Sequence, residues 1–246
     1  MKAFILAAGH GTRLRPLTEH TPKCLLPIQG IPLLQIWLEN CKRAGVTEVL
    51  VNAHAHAEQV REFASRQSTG VRVCVSAEQE LLGSAGTLAE NREFVAEENE
   101  FLVLYGDVLT NLDLGELLRF HREKRMAAML GVYRVPDPRR CGIVELDKNG
   151  GVKSFVEKPE HPQSDLAFSG VMVARQEIFE YIPQERPADI GFHLLPKLVG
   201  RMAAVETHSF LLDIGTMENY SAAQRLWPGL TADVRRRSSL SRGVSC

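Results

Sequence analysis

Several classes of protein are excluded by what this chain lacks. Cysteine is sparse: Cys24, Cys41, Cys74, Cys141 and Cys246 are odd in number, scattered and without a C-x-x-C step. That pattern argues against a disulfide framework or a zinc site, and for a reducing cytoplasm. Charge of one sign is missing too. The formal net charge is −1, so no global basic field draws in nucleic acid or an anionic membrane. No apolar run approaches the ~18 residues of a membrane span. The apolar stretch behind Lys2 is too short for a signal peptide and reads as a strand. No Gly-Lys-Ser or Gly-Lys-Thr triplet occurs, which removes the P-loop, and no internal repeat is present.

What is there is ordinary for a soluble globular protein: 246 residues, 44% hydrophobic and 24% charged. This length suits one large α/β domain or two small ones. The informative stretch comes first. Ala3-Phe4-Ile5-Leu6-Ala7-Ala8 reads as a buried strand feeding Gly9-His10-Gly11-Thr12-Arg13-Leu14-Arg15-Pro16-Leu17-Thr18, then Thr21-Pro22-Lys23-Cys24-Leu25-Leu26-Pro27. Gly9 and Gly11 let backbone N–H groups approach a polyphosphate, and Arg13 and Lys23 add positive charge. A dinucleotide fingerprint would need a third Gly where Leu14 stands.

Apolar strand-like runs alternate with amphipathic helical segments, the pattern of a mostly parallel sheet covered by helices. Strands are predicted near 3–8, 48–53, 71–76 and 101–106. Helices are predicted after Pro32 as far as Gly45, and near 56–66, 85–95 and 113–124. The last is capped by Asp113 or Asn111. Beyond residue 126 further strands are predicted at 127–135, 142–146, 152–156, 166–173 and near 203–210. Helices are predicted near 175–182 and 190–200. The tail from Thr231 to Cys246 is rich in Arg and Ser and reads as disordered.

Other segments place polar groups at the ends of apolar runs. Asp107 follows Phe101-Leu102-Val103-Leu104-Tyr105-Gly106, and Asp213 follows Leu211-Leu212 ahead of Ile214-Gly215-Thr216. A carboxylate at a strand's carboxyl edge suits Mg²⁺ bridging phosphates; taken alone, Asp107 reads equally as a cap or turn residue. Glu157-Lys158-Pro159 pairs an acceptor for hydroxyls with a point charge for a phosphate, though a lone E-K-P is commonly an exposed turn. His54 and His56 read as a polar lead-in to a helix, not as metal ligands.

The opening segment closely resembles the signature G-x-G-T-R-L-x-P-L-T…P-K of the sugar-1-phosphate nucleotidyltransferases. Asp107, Asp213-x-Gly215-Thr216, Glu157-Lys158-Pro159 and the loop Glu78 to Thr87 match later motifs of that family. The resemblance runs from Met1 to about Trp227. It implies an α/β fold, a Rossmann-like three-layer sandwich with a mostly parallel mixed sheet. It divides residues 1–228 into a nucleotide-binding first half and a sugar-binding second half, leaving 229–246 as a tail. It implies catalytic roles for Arg13 and Lys23, and nucleotide contacts at Leu6, Ala8, Gly9, Gly11, Thr12, Glu78, Gly83, Thr87 and Asp107. Sugar-phosphate contacts fall on Gly142, Glu157, Lys158 and Ser169, and Mg²⁺ falls on Asp107 and Asp213. Two positions depart from the pattern: Tyr105 precedes Gly106 where Asn is usual, and Cys141 replaces a customary Tyr. No hexapeptide repeat of an appended β-helix follows.

The implied partners are an NTP and a sugar 1-phosphate, with no nucleic acid and no membrane; a homo-oligomer stays open. Glu78 stands where thymidylyl enzymes commonly carry Gln. A carboxylate only accepts hydrogen bonds, and guanine offers N1–H and N2–H₂ side by side, so GTP with mannose- or heptose-1-phosphate is the reading. A uridylyl- or thymidylyltransferase for glucose- or N-acetylmuramic acid-type phosphates is the alternative. A non-catalytic nucleotide-sugar-binding regulator is a third reading, opposed by the retention of both carboxylates and both lysines.

Overall fold

The computed structural model describes residues 1–230; the segment read as a tail from Thr231 lies outside the described residues. In chain order the elements are β1 (Lys2–Leu6), β2 (Pro27–Ile28), β3 (Ile31–Pro32), α1 (Leu33–Arg43), β4 (Glu48–Ala53), α2 (Ala57–Arg66), β5 (Arg72–Ala77), α3 (Ser84–Glu90), β6 (Phe101–Tyr105), β7 (Val108–Thr110), α4 (Leu114–Lys124), β8 (Ala128–Arg134), β9 (Gly142–Leu146), β10 (Val152–Glu157), β11 (Leu166–Ala174), β12 (Met202–Glu206), β13 (Leu211–Asp213) and α5 (Met217–Leu226). Short 3₁₀ turns at Thr12–Leu14, Leu17–Glu19 and Lys23–Leu25 carry the chain from β1 to β2.

Nine strands form one mixed sheet in the order β10-β9-β11-β6-β1-β4-β5, with β8 pairing β11 and β12. The ladders β6-β1-β4-β5 and β8-β12 that join strands of the same direction are parallel. Those made by β9, β10 and β11 are antiparallel. The central strands are apolar without alternation because both faces are covered. Ala3, Ile5, Val49, Val51, Leu102 and Leu104 join the core that holds α1 and α4. Phe4, Leu50, Phe101 and Val103 point the other way, into the core beside α3. This period of two creates the three layers.

Local chemistry sets the ends of the helices. α1 is followed by Gly45 at φ +78°, a left-handed stop that glycine takes at no steric cost. Asp113 caps α4, its Oδ1 accepting from Gly115 N and Glu116 N. Two predicted helices are corrected. Residues 175–182 form only a 3₁₀ stretch, Gln176–Tyr181, which stops where Ile182 precedes Pro183. Residues 190–200 form a π turn (Ile190–Leu194) and a 3₁₀ turn (Leu195–Leu198) with Pro196 inside. Proline has no N–H to continue a helix. The 85–95 helix likewise divides, into α3 and a 3₁₀ turn at Arg92–Val95.

β1 has β4 on one side and β6 on the other. The chain therefore reverses its direction of build at β1, and the crevice beyond its carboxyl end is where open α/β sheets bind ligands.

Candidate active site

The loop after β1 opens that crevice. Gly106 N donates to Leu6 O at 2.8 Å, and Ala7 N donates to Asn52 Oδ1 at 2.6 Å, so the start of the loop is fixed. Gly11 sits at φ +62°, and a Cβ there would stand 2.8 Å from Thr18 Cγ2. Thr18 Oγ1 holds the turn by donating to Gly11 O at 2.7 Å. Among the described residues, no acceptor pairs with the backbone N–H groups of Gly9, His10, Gly11, Thr12 or Arg13. Unpaired donors in series form an anion cradle. Ala8, by contrast, is buried.

The charged groups meet behind this loop. Lys23 Nζ donates to Asp107 Oδ2 at 2.6 Å. β13 pairs with β7, placing Asp213 opposite Val108, and Ile214 N donates to Asp107 O at 3.0 Å. The two carboxylates are thereby brought together. Desolvation pushes the Asp213 carboxyl above the usual carboxylate range and Asp107 pushes it further; Lys23, the Gly215 N–H at 2.6 Å and Arg13 pull it back. Asp213 is exposed, so its direction of shift carries no energy here. A Cβ at Gly215 would stand 3.0 Å from Arg13 Nη2, so glycine is what lets the guanidinium lie against this turn. A half-buried and an exposed carboxylate side by side are the donor set of a hard cation that takes its remaining ligands from phosphate and water. Asp107 and Asp213 fit Mg²⁺ on that ground. Among the described residues no third His, Cys, Asp or Glu completes an all-protein cage.

The base loop differs from the expectation. Glu78 is only 8% exposed. Its Oε1 accepts from Asn52 Nδ2 at 2.8 Å and from Thr87 Oγ1 at 2.5 Å, and its Oε2 accepts from Leu82 N at 3.2 Å. Both lone pairs of Oε1 are engaged, so the two-pronged pairing with guanine is corrected: only Oε2 retains acceptor capacity. Thr87 is fully buried and also serves this network; its hydroxyl stands behind the site, not in it. Gly83 has φ +77°, and a Cβ there would overlap Ala188 O. His54 Nδ1 lies 2.9 Å from Glu78 O, a structural contact.

The second half supplies a facing wall. Glu157 pairs with Gly142 across β9 and β10, and a Cβ on Gly142 would stand 2.6 Å from Glu157 Oε2. Gly191 backs onto the same oxygen. Burial raises the Glu157 carboxyl; Lys158 opposes the rise and Asp189 adds to it. Lys158 adopts φ +50°, a left-handed conformation unusual for a side-chain-bearing residue. Burial raises the Cys141 thiol, with Glu157 and Asp213 both contributing. Ser169 is corrected. It lies in a bulge of β11 between Phe168 and Met172, is 2% exposed, and its Oγ accepts from Val171 N at 3.2 Å while facing Gly131.

Two contributors, Asn52 and Asp189, escape sequence reasoning, and a third, Tyr105, was read only as a departure from the family pattern. Asn52 holds Ala7 and Glu78 at once; a lone Asn at the end of the apolar run Val49-Leu50-Val51 was the available signal. Asp189 Oδ1 accepts from Gly191 N and Phe192 N, and its Oδ2 accepts from Ser84 Oγ at 3.0 Å. The signal for Asp189 was an acidic residue just before Ile190-Gly191. Tyr105 lies among Asp189, Glu157 and Asp107, and burial moves its phenol far above the ordinary value.

Residues 2–228 match the family described as Nucleotidyl transferase. The chain is 36% identical over 243 residues to a UTP--glucose-1-phosphate uridylyltransferase of Synechocystis, covering 92% of this chain and 63% of that one. It is 33% identical over 223 residues to a mannose-1-phosphate guanylyltransferase of Mycobacterium tuberculosis, covering 89% and 62%. The chain thus spans less than two thirds of these curated relatives. Among solved structures, HddC from Yersinia pseudotuberculosis complexed with GMP-PN superposes with a TM-score of 0.76 at 26% identity, covering 91% of this chain and 98% of that one. With a match across almost all of the described residues, the chain belongs to the nucleotidyl transferase family.

Proposed function

We propose that the protein transfers a nucleotidyl group from an NTP to a sugar 1-phosphate, giving an NDP-sugar and pyrophosphate. A phosphate oxygen of the sugar 1-phosphate attacks the α-phosphorus in line. The bond from that phosphorus to the bridging oxygen breaks, and pyrophosphate carries away the electron pair. No covalent enzyme intermediate is needed. The observation that carries the reading is the contact of Lys23 with Asp107 beside Asp213 and Arg13, under a row of unpaired N–H groups. The N–H row and Arg13 bind the triphosphate, and Lys23 follows charge onto the leaving pyrophosphate. Asp107 and Asp213 would hold Mg²⁺, which supplies neutralisation of phosphate charge when bound. Glu157 accepts hydroxyls of the sugar and Lys158 binds its phosphate.

GTP with mannose- or heptose-1-phosphate is the substrate pair we favour. Glu78 Oε2 offers an acceptor and no donor to the base, and a relative of similar length is solved with GMP-PN. UTP with a hexose 1-phosphate is the second reading, favoured by the 36% identity to the Synechocystis uridylyltransferase. Cys24, Cys41, Cys74 and Cys141 are free cysteines, which suits a reducing cytoplasm. No helix among the described residues is long and apolar enough to cross a membrane. The test is pyrophosphate release with Mg²⁺, crossing five NTPs with mannose-, heptose-, glucose- and N-acetylmuramic acid 1-phosphates. Release in no combination overturns the reading; nucleotide binding without turnover would leave a regulator.

A further inference from the structure

We infer that Phe192 is the surface on which the acceptor sugar stacks, which makes it a specificity-determining residue for the sugar 1-phosphate. The inference rests on the nucleotidyl-transfer reading and adds a residue that no family motif supplied.

Phe192 is 54% exposed. A single exposed ring needs no occupant; what sets this one apart is its place beside Lys158 and Glu157. Its backbone is held on both sides. Asp189 Oδ1 accepts from Gly191 N at 2.8 Å and Phe192 N at 3.2 Å, and Asp189 N donates to His193 Nδ1 at 2.8 Å. Ser84 Oγ accepts from Ile190 N at 2.7 Å and donates to Asp189 Oδ2. Ala188 in turn donates to Leu82 O and accepts from Ala85 N and Gly86 N. The ring is therefore exposed on an ordered, tethered turn, the arrangement of a preorganised contact.

Its position defines the ligand. Gly191, the residue before it, backs onto the Glu157 carboxylate, and Lys158 Nζ lies 5.5 Å from the Phe192 ring centroid. Three chemistries converge within one turn: an acceptor for hydroxyls, a cation for a phosphate, and an apolar flat face. A pyranose 1-phosphate presents the complements of all three, since one face of the sugar ring is made of C–H groups. The ammonium now held by the ring's negative face moves to the incoming phosphate, a stronger partner, and frees that face for the sugar.

The experiment compares wild type with Phe192→Ala and Phe192→Tyr. Titration calorimetry gives binding of mannose 1-phosphate, glucose 1-phosphate and inorganic phosphate. Steady-state kinetics gives KM for each substrate, and light scattering gives the oligomeric state. Loss of the ring should weaken sugar 1-phosphate binding and raise its KM about tenfold. Inorganic phosphate binding should not weaken, KM for the NTP and thermal stability should stay at wild-type values, and Phe192→Tyr should behave as wild type. Turnover by wild type with an unchanged sugar KM in Phe192→Ala overturns the stacking alone. So does equal weakening of sugar phosphate and inorganic phosphate, or a change of oligomeric state that accounts for the effect. If wild type binds the sugar phosphates but releases no pyrophosphate with any NTP, transfer falls while stacking is still read from the calorimetry. A wild type that binds neither sugar phosphate and releases no pyrophosphate with any of the four sugar 1-phosphates overturns both.

Discussion

Lys23 Nζ stands 2.6 Å from Asp107 Oδ2. The contact joins the loop after β1 to the end of β6, two elements that neighbour each other only because β1 and β6 are parallel partners. It also divides the electrostatic work. One ammonium and the Arg13 guanidinium face two carboxylates, so the cluster has little net charge by itself. A triphosphate would leave it strongly negative, and a divalent cation restores the balance.

Replacing Asp107 or Asp213 by Asn should abolish Mg²⁺-dependent turnover while the fold persists. An Asn at 213 keeps an oxygen that can accept from Gly215 N, so that turn should survive the change. Pyrophosphate release and circular dichroism check this. Turnover within about tenfold of wild type, a loss of only ~1.4 kcal/mol of transition-state stabilisation, would remove these residues as metal ligands.

Lys23→Ala and Lys158→Ala should fail differently. Lys23 meets the Asp107 carboxylate behind the loop that follows β1, so under the proposed reaction its loss should lower kcat. Lys158 follows β10, beside Glu157 and Phe192, so under the proposed reaction its loss should raise KM for the sugar 1-phosphate. Contacts made only as charge develops change the rate, and uniform binding changes KM. Exchanged phenotypes would mean the two phosphate positions are assigned the wrong way round.

Glu157 gives a pH signature in the substrate-free protein. Burial raises its carboxyl pKa in the fold, and Asp189 adds to the rise. An acid whose pKa is raised contributes stability that is present at low pH and is lost as pH rises through the folded value. Glu157→Gln, always neutral, should therefore have the higher Tm near pH 7–8. The difference should close as pH falls towards about 4, where the wild-type carboxyl is protonated. A Tm difference that does not vary with pH would show that Glu157 is not held against its charge.

The strands and the strand-end carboxylates were legible because apolar runs are local. Phe101 to Leu104 reads as a buried strand from its residues alone, and Asp107 stands where such a strand must stop. Their meeting was not legible, since it depends on β7 and β13 pairing across a long stretch of chain. Side-chain direction was the other gap. Ser169 lies in a bulge, and a shift of one residue in a strand turns a hydroxyl from pocket to core. Glu78 and Thr87 sit in a loop and a first helical turn, where spacing leaves both ligand-facing and protein-facing orientations open. The clamp at Asp189 was hidden because Pro196 and a π turn interrupt what reads as one helix.

Glu78→Gln separates base reading from scaffolding. Glu78 Oε1 holds Asn52 and Thr87, and a Gln oxygen can keep both bonds. The Gln amide nitrogen then takes the place of Oε2, where it faces the Leu82 N–H as a second donor. Loss of that bond should cost about 1 kcal/mol of stability. Towards the base, an acceptor becomes a donor. If Oε2 receives a guanine N–H, GTP use should fall about ten- to a hundredfold in kcat/KM. UTP or dTTP should improve relative to GTP, because their carbonyls accept from the amide. The measurement is kcat/KM for GTP, UTP, dTTP, CTP and ATP, with Tm, in both proteins. A uniform loss across all five together with a lower Tm would make Glu78 a scaffold for Asn52 and Thr87 alone. A wild type preferring UTP or dTTP, with an unchanged mutant profile, would sink the guanine assignment. The transfer reaction would still stand, since it rests on Lys23, Asp107, Asp213 and the N–H row, none of which Glu78 touches.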